Sequence, residues 1–423
     1  MKFYIYTLGC KVNTYESNVM RDKLLNNGFI ESSEEDSDIY IINTCTVTNT
    51  SDNKSLKTVR QVLRNHPGKI VIVVGCMTQV SSDLLDDLDV SIILGNVGKS
   101  KIVDYINEYL KNKKKIVYIS DVKEAKFEDM CLNNFNKTRA FVKIEDGCEN
   151  YCSYCIIPYS RGRVRSKDKD TVIKEITSLV NDGHKEIVLT GIHTGHYGSD
   201  LDNYSFSKLL KEIENIEGLK RLRISSIEIT ELDEEFIDVL KSSKILVDHM
   251  HIPLQSGSDE ILKSMNRKYD KKYFIDEINK IRSVRPDMSI TTDIIVGFPG
   301  ETDELFNETI DTVEKIRFSK IHVFPFSLRK GTKAEELPNH IDDITKKNRV
   351  KKLMEISKEL EIEYFNKFVG KEVVFLPEMY KDGNILGHTG NYLLVKTKGT
   401  IDDLNEFKSV IIKEVNYPYC IGE

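Results

Sequence analysis

The sequence predicts an α/β protein in three parts: an N-terminal doubly wound parallel-sheet domain, a central partial (β/α)6 barrel and a C-terminal small all-β domain. Three observations carry this. The chain has 423 residues, and single hydrophobic cores stop growing at roughly 250–300. Two separate series of apolar runs alternate with amphipathic helical stretches, which is the pattern of βαβ units around parallel sheets. After Phe368 the helical period disappears, and short strand-like runs follow one another between turns. These parts are placed at residues 1–120, 138–366 and 367–423, with a linker at 121–137.

In the first series, Phe3–Leu8, Ile39–Asn43 and Lys69–Val74 are strands, and Ser91–Leu94 before Gly95 is a fourth. Between the first two, Val19, Met20, Leu24 and Leu25 share one helical face, and Gly28 marks the stop. Lys111–Lys115 reads as a solvated helix end or the start of the linker. The second series offers six strands: Ala140–Ile144, Glu186–Thr190, Arg221–Ser225, Met250–Leu254, Ile290–Val296 and Ile321–Phe326. Helical patterns at Thr171–Val180, Phe206–Ile216, Tyr273–Ile281 and Leu305–Ile316 separate them. Six such units make three quarters of an eightfold barrel, a fold that places its chemistry at the C-terminal strand ends. Asp343–Phe365 is a charged helix that closes this domain. The tail offers Glu372–Leu376, Asn384–His388, Tyr392–Lys396 and Ser409–Ile412, with turns at Asp382-Gly383-Asn384 and Gly390-Asn391, and reads as a small barrel.

Bulk properties narrow the function. No apolar run approaches the ~20 residues that span a bilayer. Met1–Cys10 lacks the basic start and long apolar region of a secretory signal, so it reads as a strand of a cytoplasmic protein. The net charge of −6 confines any nucleic-acid surface to a local patch. Eight cysteines in so long a chain point to metal or redox chemistry rather than to a disulfide framework.

The strongest signal is Cys148-x3-Cys152-x2-Cys155, after the first strand of the second series and Gly147. Three thiolates at this spacing hold three irons of a [4Fe–4S] cluster and leave the fourth open to another ligand. A structural zinc site wants four ligands, so Cys131 or a distant histidine would have to complete one. Cys10, Cys45 and Cys76 each lie just past the end of an apolar strand, 35 and 31 residues apart. Parallel strands one βαβ unit apart end along one edge, so these thiols should converge as a second cluster-binding trio. Read separately, they are three ordinary buried cysteines. Arg161, Arg163 and Arg165, with Lys167, form a cationic run that reads as a phosphate-binding edge or as solvated surface. Gly191, Gln255 in Gln255-Ser256-Gly257-Ser258 and Gly297 sit at barrel strand ends and outline a cofactor-sized cleft, and Glu228 after the third strand reads as a ligand-binding residue or as the start of a helix. His193 and His196 read as hydrogen-bonded loop histidines, with no metal assigned.

Several stretches together resemble one family. Glu145-Asp146-Gly147-Cys148 through Cys155-Ile156-Ile157-Pro158, then Arg161-Gly162-Arg163-Val164-Arg165-Ser166, resembles the catalytic loop of the radical S-adenosylmethionine methylthiotransferases. Thr7-Leu8-Gly9-Cys10-Lys11-Val12-Asn13, Asn43-Thr44-Cys45-Thr46-Val47-Thr48 and Val74-Gly75-Cys76 resemble that family's N-terminal cluster domain. His251 through Ser258, Asp293 through Thr302 and Phe324-Pro325-Phe326-Ser327 continue the likeness, and the tail is similar to the family's TRAM domain. The words around Cys10 and Cys45 look like the branch acting on threonylcarbamoyladenosine in tRNA, next to the anticodon. The branch acting on isopentenyladenosine tends to carry Gln-Met after the first cysteine. The branch acting on a ribosomal-protein aspartate tends to carry Pro-Lys.

This resemblance implies two [4Fe–4S] clusters, one on Cys148, Cys152 and Cys155 and one on Cys10, Cys45 and Cys76. It implies S-adenosylmethionine as radical source and as methyl donor. The 5′-deoxyadenosyl radical removes hydrogen from the adenine carbon, and the second cluster presents sulfur. The implied partners are tRNA and an electron donor such as flavodoxin or ferredoxin, with neither DNA nor a membrane. After Phe368 there are six Lys/Arg against eight Asp/Glu, a departure that shifts RNA binding towards Arg161, Arg163 and Arg165. Two other readings stay open: a ribosomal-protein aspartate methylthiotransferase, and a non-catalytic zinc- or iron–sulfur-containing RNA-binding protein.

Overall fold

Unbroken β-branched runs form fully covered strands, and the first sheet is built from them. In the computed structural model, which describes residues 1–423, six parallel strands lie in the order Ile30–Glu31, Lys2–Thr7, Ile39–Thr44, Ile70–Gly75, Ile92–Leu94, Ile116–Tyr118. Every residue of Ile39–Thr44 and Ile70–Gly75 is buried. Helices Lys11–Asn26 and Ile102–Asn112 cover one face, and helix Asn49–Asn65 covers the other. The two edge strands, Ile30–Glu31 and Ile116–Tyr118, escape the sequence reading because two or three residues are too few to show a strand period.

The first helix departs from the single apolar face expected from its sequence. Val19, Met20, Leu24 and Leu25 do not share a face. Met20 and Leu24 pack on the sheet, whereas Tyr15 and Val19 join the core of the central barrel. Leu25 is exposed. Helix Lys11–Asn26 is buried on two sides, which blurs the single stripe expected of a surface helix.

The central domain has six parallel strands: Arg139–Lys143, Glu186–Thr190, Arg221–Ile224, His249–His251, Ser289–Val296 and Lys320–Pro325. They form two three-stranded sheets joined by a bridge between Leu222 and Leu246, giving the open barrel the sequence predicts. Helices Lys169–Asn181, Phe206–Ile213, Glu234–Ser242, Lys271–Val284 and Asp303–Ile316 surround it. Residues 121–137 contain no helix or strand, yet Met130, Leu132 and Phe135 are buried in the barrel core. Helix Asp343–Asn366 lies along the last strand, where Ser357 Oγ accepts from the Ile321 amide at 3.0 Å.

The tail is a closed barrel of Glu372–Lys381, Asn384–Thr389, Leu394–Lys398, Lys408–Asn416 and Tyr419–Gly422. The last strand adds one to the expected four. The tail seats on the lower end of the central barrel. Arg221 donates to the Val374 carbonyl at 2.7 Å, Arg139 pairs with Glu378 at 3.0 Å, and Tyr392 stacks on His249 at 4.5 Å. No helix is long and apolar enough to cross a membrane.

Candidate functional site

The first cysteine trio is made by strand register. Thr7 pairs with Asn43 and Thr44 with Gly75, so three neighbouring strands release Cys10, Cys45 and Cys76 at one sheet edge. Cys10 precedes helix Lys11–Asn26, and Cys76 opens helix Cys76–Val80. The approach is close enough to require glycine. At Gly9, with φ +98°, a Cβ would lie 2.7 Å from Cys45 Cβ and 2.8 Å from its Sγ. Burial pushes the Cys45 thiol up to about 11, and Cys76 and Cys10 add to the rise. Asn13 ties the edge together by donating to the carbonyls of Leu8 and Thr44 at 2.7 and 2.9 Å.

The second trio lies on one loop after the first barrel strand. The Cys155 amide donates to the Cys152 carbonyl at 2.9 Å, and the Cys148 amide donates to the Gly162 carbonyl at 3.0 Å. Gly147 makes this fold-back possible, because a Cβ there would sit 1.9 Å from the Arg163 carbonyl oxygen. Burial and the neighbouring cysteines raise the Cys148 thiol, and burial with Cys152 pushes Cys155 up to about 12. Thiols that hinder one another's ionisation this way are relieved by a cation that accepts them as thiolates. Residues 264–267 clamp the loop from below. Ser153 Oγ donates to the Ser264 carbonyl at 2.7 Å, Asn266 donates to the Tyr151 carbonyl at 3.0 Å, and Arg267 donates to Cys152 Sγ at 3.3 Å.

Between the trios lies a buried ion network. Glu16 accepts from Lys99, from Lys143 at 2.7 Å and from Arg161 at 2.7 Å. Asp146 accepts from Lys143 at 2.7 Å, Arg161 at 3.1 Å and Arg165 at 3.0 Å. Two carboxylates thus face four cations, and Arg161 turns its Nε to Cys76 Sγ at 3.3 Å. Buried cationic excess beside a cysteine stabilises thiolate and an anionic centre held by it. These residues correct the sequence reading of Arg161, Arg163 and Arg165 as an RNA grip. Arg161 is wholly buried, Arg165 is buried against Asp146, and Arg163 alone is exposed. A guanidinium inside a carboxylate network has no face left for phosphate. Lys167 is likewise buried, against Glu175.

The strand-end residues divide into two groups. Gly191 and Glu228 gather at the second trio. Gly191 lies against Glu145, whose carboxylate accepts from the His193 amide at 2.7 Å, and His193 reaches Cys148 Sγ at 3.8 Å. Glu228 pairs with Arg267, the cysteine-bonded guanidinium. Gln255, in the left-handed region at φ +70°, is buried and hydrogen-bonded through its amide to Asp293. Gly297 gives its amide to Glu301 at 2.6 Å, and the side chain of Lys346 covers its α-carbon. That face of Gly297 is filled by protein. His193 and His196 stack at 3.9 Å and both approach Glu231. Cys131 is exposed, and Cys420 is buried in the tail barrel. Sequence reading missed Glu16, Lys99, Lys143 and Arg267, because none stands in a spacing pattern and each acquires its role only through a distant partner.

Alternate residues of the barrel strands face a cavity of about 390 Å³, within the size range of ligand pockets. Arg139, Arg223, His251, Asp293 and Phe324 line it from the barrel, Tyr392 enters from the tail, and Lys11, next to Cys10, enters from the N-terminal domain. Burial opposes ionisation of Tyr392, but Arg139, Lys11 and Arg223 outweigh it and hold the phenol below its ordinary range. Three domains thus build one cationic chamber beside the first trio.

Comparison with known proteins agrees with this geometry. Residues 142–313 match the Radical SAM superfamily, and residues 2–95 match the uncharacterized protein family UPF0004. The chain is 41% identical to the threonylcarbamoyladenosine tRNA methylthiotransferase MtaB of Bacillus subtilis, across 99% of this chain and 95% of that one. It is 39% identical to a tRNA-2-methylthio-N(6)-dimethylallyladenosine synthase of Natranaerobius thermophilus, across 85% of this chain and 82% of that one. Among solved structures, the radical S-adenosylmethionine methyltransferase TsrM of Kitasatospora setae superposes with a TM-score of 0.56 at 13% identity, covering 76% of this chain and 72% of that one. At that identity the likeness is one of fold.

Proposed function

Because the chain belongs to the radical S-adenosylmethionine methylthiotransferases, we propose that it converts threonylcarbamoyladenosine in tRNA, next to the anticodon, to its 2-methylthio derivative. The observation that carries this reading is the likeness to the Bacillus threonylcarbamoyladenosine enzyme, which spans nearly the whole of both chains. The dimethylallyladenosine synthases that match over the whole chain do so at lower identity, 34% for that of Clostridium botulinum strain Langeland.

The radical S-adenosylmethionine family implies a [4Fe–4S] cluster and S-adenosylmethionine. In our reading Cys148, Cys152 and Cys155 hold that cluster, and their place together on one loop, clamped by residues 264–267, suits it. Bound there, it supplies the electron that cleaves S-adenosylmethionine and so the radical that takes hydrogen from the adenine ring. Cys10, Cys45 and Cys76 hold a second cluster, a reading supported by their common sheet edge and by the cationic excess around Arg161. Gly191 and Glu228 border S-adenosylmethionine, Gln255 lies farther along the same strand ends, and Gly297 is the least suited of the four. Arg267 orients Cys152 and Glu228 together. Arg163 offers the catalytic loop's free cation to RNA. Electrons come from a small carrier such as flavodoxin or ferredoxin, and the enzyme works in the cytoplasm.

The test is mass spectrometry of tRNA nucleosides and ribosomal proteins from a deletion strain. Loss of 2-methylthio-threonylcarbamoyladenosine, restored by the gene, is the expected result. Loss of the mass on a ribosomal protein, with tRNA unchanged, would overturn the assignment.

A further inference from the structure

The cationic chamber has an uneven charge inventory. Arg139 holds Glu378 at 3.0 Å, Arg223 holds Glu186 at 2.9 Å, and Lys320 holds Glu361 at 3.0 Å. Asp293, the chamber's own carboxylate, lies 3.4 Å from His251. Lys11, an exposed residue at the chamber's rim, is the one lining lysine or arginine without a carboxylate partner, and its side chain makes no hydrogen bond. A second polar group is left open as well: His249, buried between Arg223 and Tyr392, has an Nδ1 with no partner. The apolar wall of Phe141, Val188 and Phe324 supplies the flat contact that a ring needs. A purely apolar substituent would gain nothing from the Lys11 ammonium and would displace part of its water. The pocket suits a ring whose substituent ends in an anion.

We propose that Lys11 is a specificity-determining residue that binds the carboxylate on the N6 substituent of the substrate adenine. This rests on the function proposed above. Threonylcarbamoyladenosine carries a free carboxylate at the far end of that substituent, whereas dimethylallyladenosine carries only hydrocarbon. Lys11 follows Cys10 directly, so the residue that reads the substituent is anchored to the same turn as the first cysteine trio. The substituent is thereby held at a set distance from the sulfur-bearing side of the chamber. Tyr392, with its phenol turned among Arg139, Lys11 and Arg223, closes the chamber behind it.

The experiment uses the reconstituted holoenzyme and three anticodon stem–loop RNAs. One carries threonylcarbamoyladenosine, one its neutral methyl ester and one unmodified adenosine. The wild type is expected to bind the acid about tenfold more tightly than the ester, as a hydrogen bond between charged groups warrants. Lys11→Met should bring that ratio to near one and raise KM with little change in kcat, while Lys11→Arg restores the preference. Iron content measured alongside verifies that the neighbouring Cys10 still loads. A Lys11→Met enzyme that keeps the wild-type ratio overturns the proposal and leaves the function intact. So does one that loses affinity for S-adenosylmethionine instead, because Lys11 would then serve the methionyl carboxylate. A wild type that thiolates none of the RNAs overturns the function itself, and this proposal with it.

Discussion

Cys76 in one trio and Cys152 in the other each accept an N–H from an arginine, Arg161 and Arg267 respectively. Removing one cysteine should silence one trio alone. Cys152→Ala is expected to abolish cleavage of S-adenosylmethionine to 5′-deoxyadenosine while iron on the other trio persists. Continued cleavage in that variant would contradict the ligand assignment. Gly9 is under a different constraint. Its left-handed backbone and its contact with Cys45 leave no room for a methyl group. Gly9→Ala is expected to cost about 1–3 kcal/mol and to lower the iron held by the first trio, read by thermal melting and iron counting. The cysteines themselves were legible from spacing and strand position. Their arginines were not, since a guanidinium that meets a thiol 85 residues away leaves no local mark.

Elements carry the next layer. Helix Asn49–Asn65 starts at Thr48, whose side chain accepts from the Ser51 amide at 3.1 Å. It follows the Cys45 turn, and Ser55 within it donates to the Cys45 carbonyl at 3.2 Å. Thr48→Ala should remove about 1 kcal/mol and speed amide exchange in the first turn of this helix more than elsewhere. Uniform exchange across the sheet domain would refute that local role. The long strands and helices were legible because each repeats one period over many residues. Helix Lys11–Asn26 was misread in detail because it serves two cores at once, Met20 and Leu24 in one and Tyr15 and Val19 in the other. The shortest strands carried too few residues to show a period.

At the scale of the whole molecule, the Glu16–Asp146–Arg161 network joins the N-terminal sheet domain to the barrel. Burial raises both carboxyls, but Arg161, Lys143 and Lys99 outweigh it at Glu16, and Lys143, Arg161 and Arg165 outweigh it at Asp146. Both therefore titrate below their ordinary values. A carboxyl depressed in the folded state stabilises fully above its unfolded value, and that stability is lost as pH falls through the folded value. The unfolding midpoint should thus be level above about pH 5 and fall once pH drops below about 4, as calorimetry across that range would show. A midpoint unchanged down to pH 3 would argue that the network is not formed. Arg161→Met should cost about 1–3 kcal/mol in urea unfolding, because it takes the donor from the buried Asn13 Oδ1 and one donor each from Glu16 and Asp146, which keep their other cations. It should do so without altering the salt dependence of RNA binding, which Arg163→Ala should weaken.

Strand and helix periods, the six strand-end cysteines and the change of pattern after Phe368 are properties of neighbouring residues, so the chain alone determined the three-part α/β architecture and the cysteine candidates. Which cations face phosphate and which are sealed against carboxylate depends on what packs above them. Only the folded molecule decided that Arg161 and Arg165 are internal, that Arg267 serves Cys152, and that Lys11 opens into a chamber shared by three domains. Burial and charge pairing are set by residues far apart in sequence, and local pattern carries no record of them.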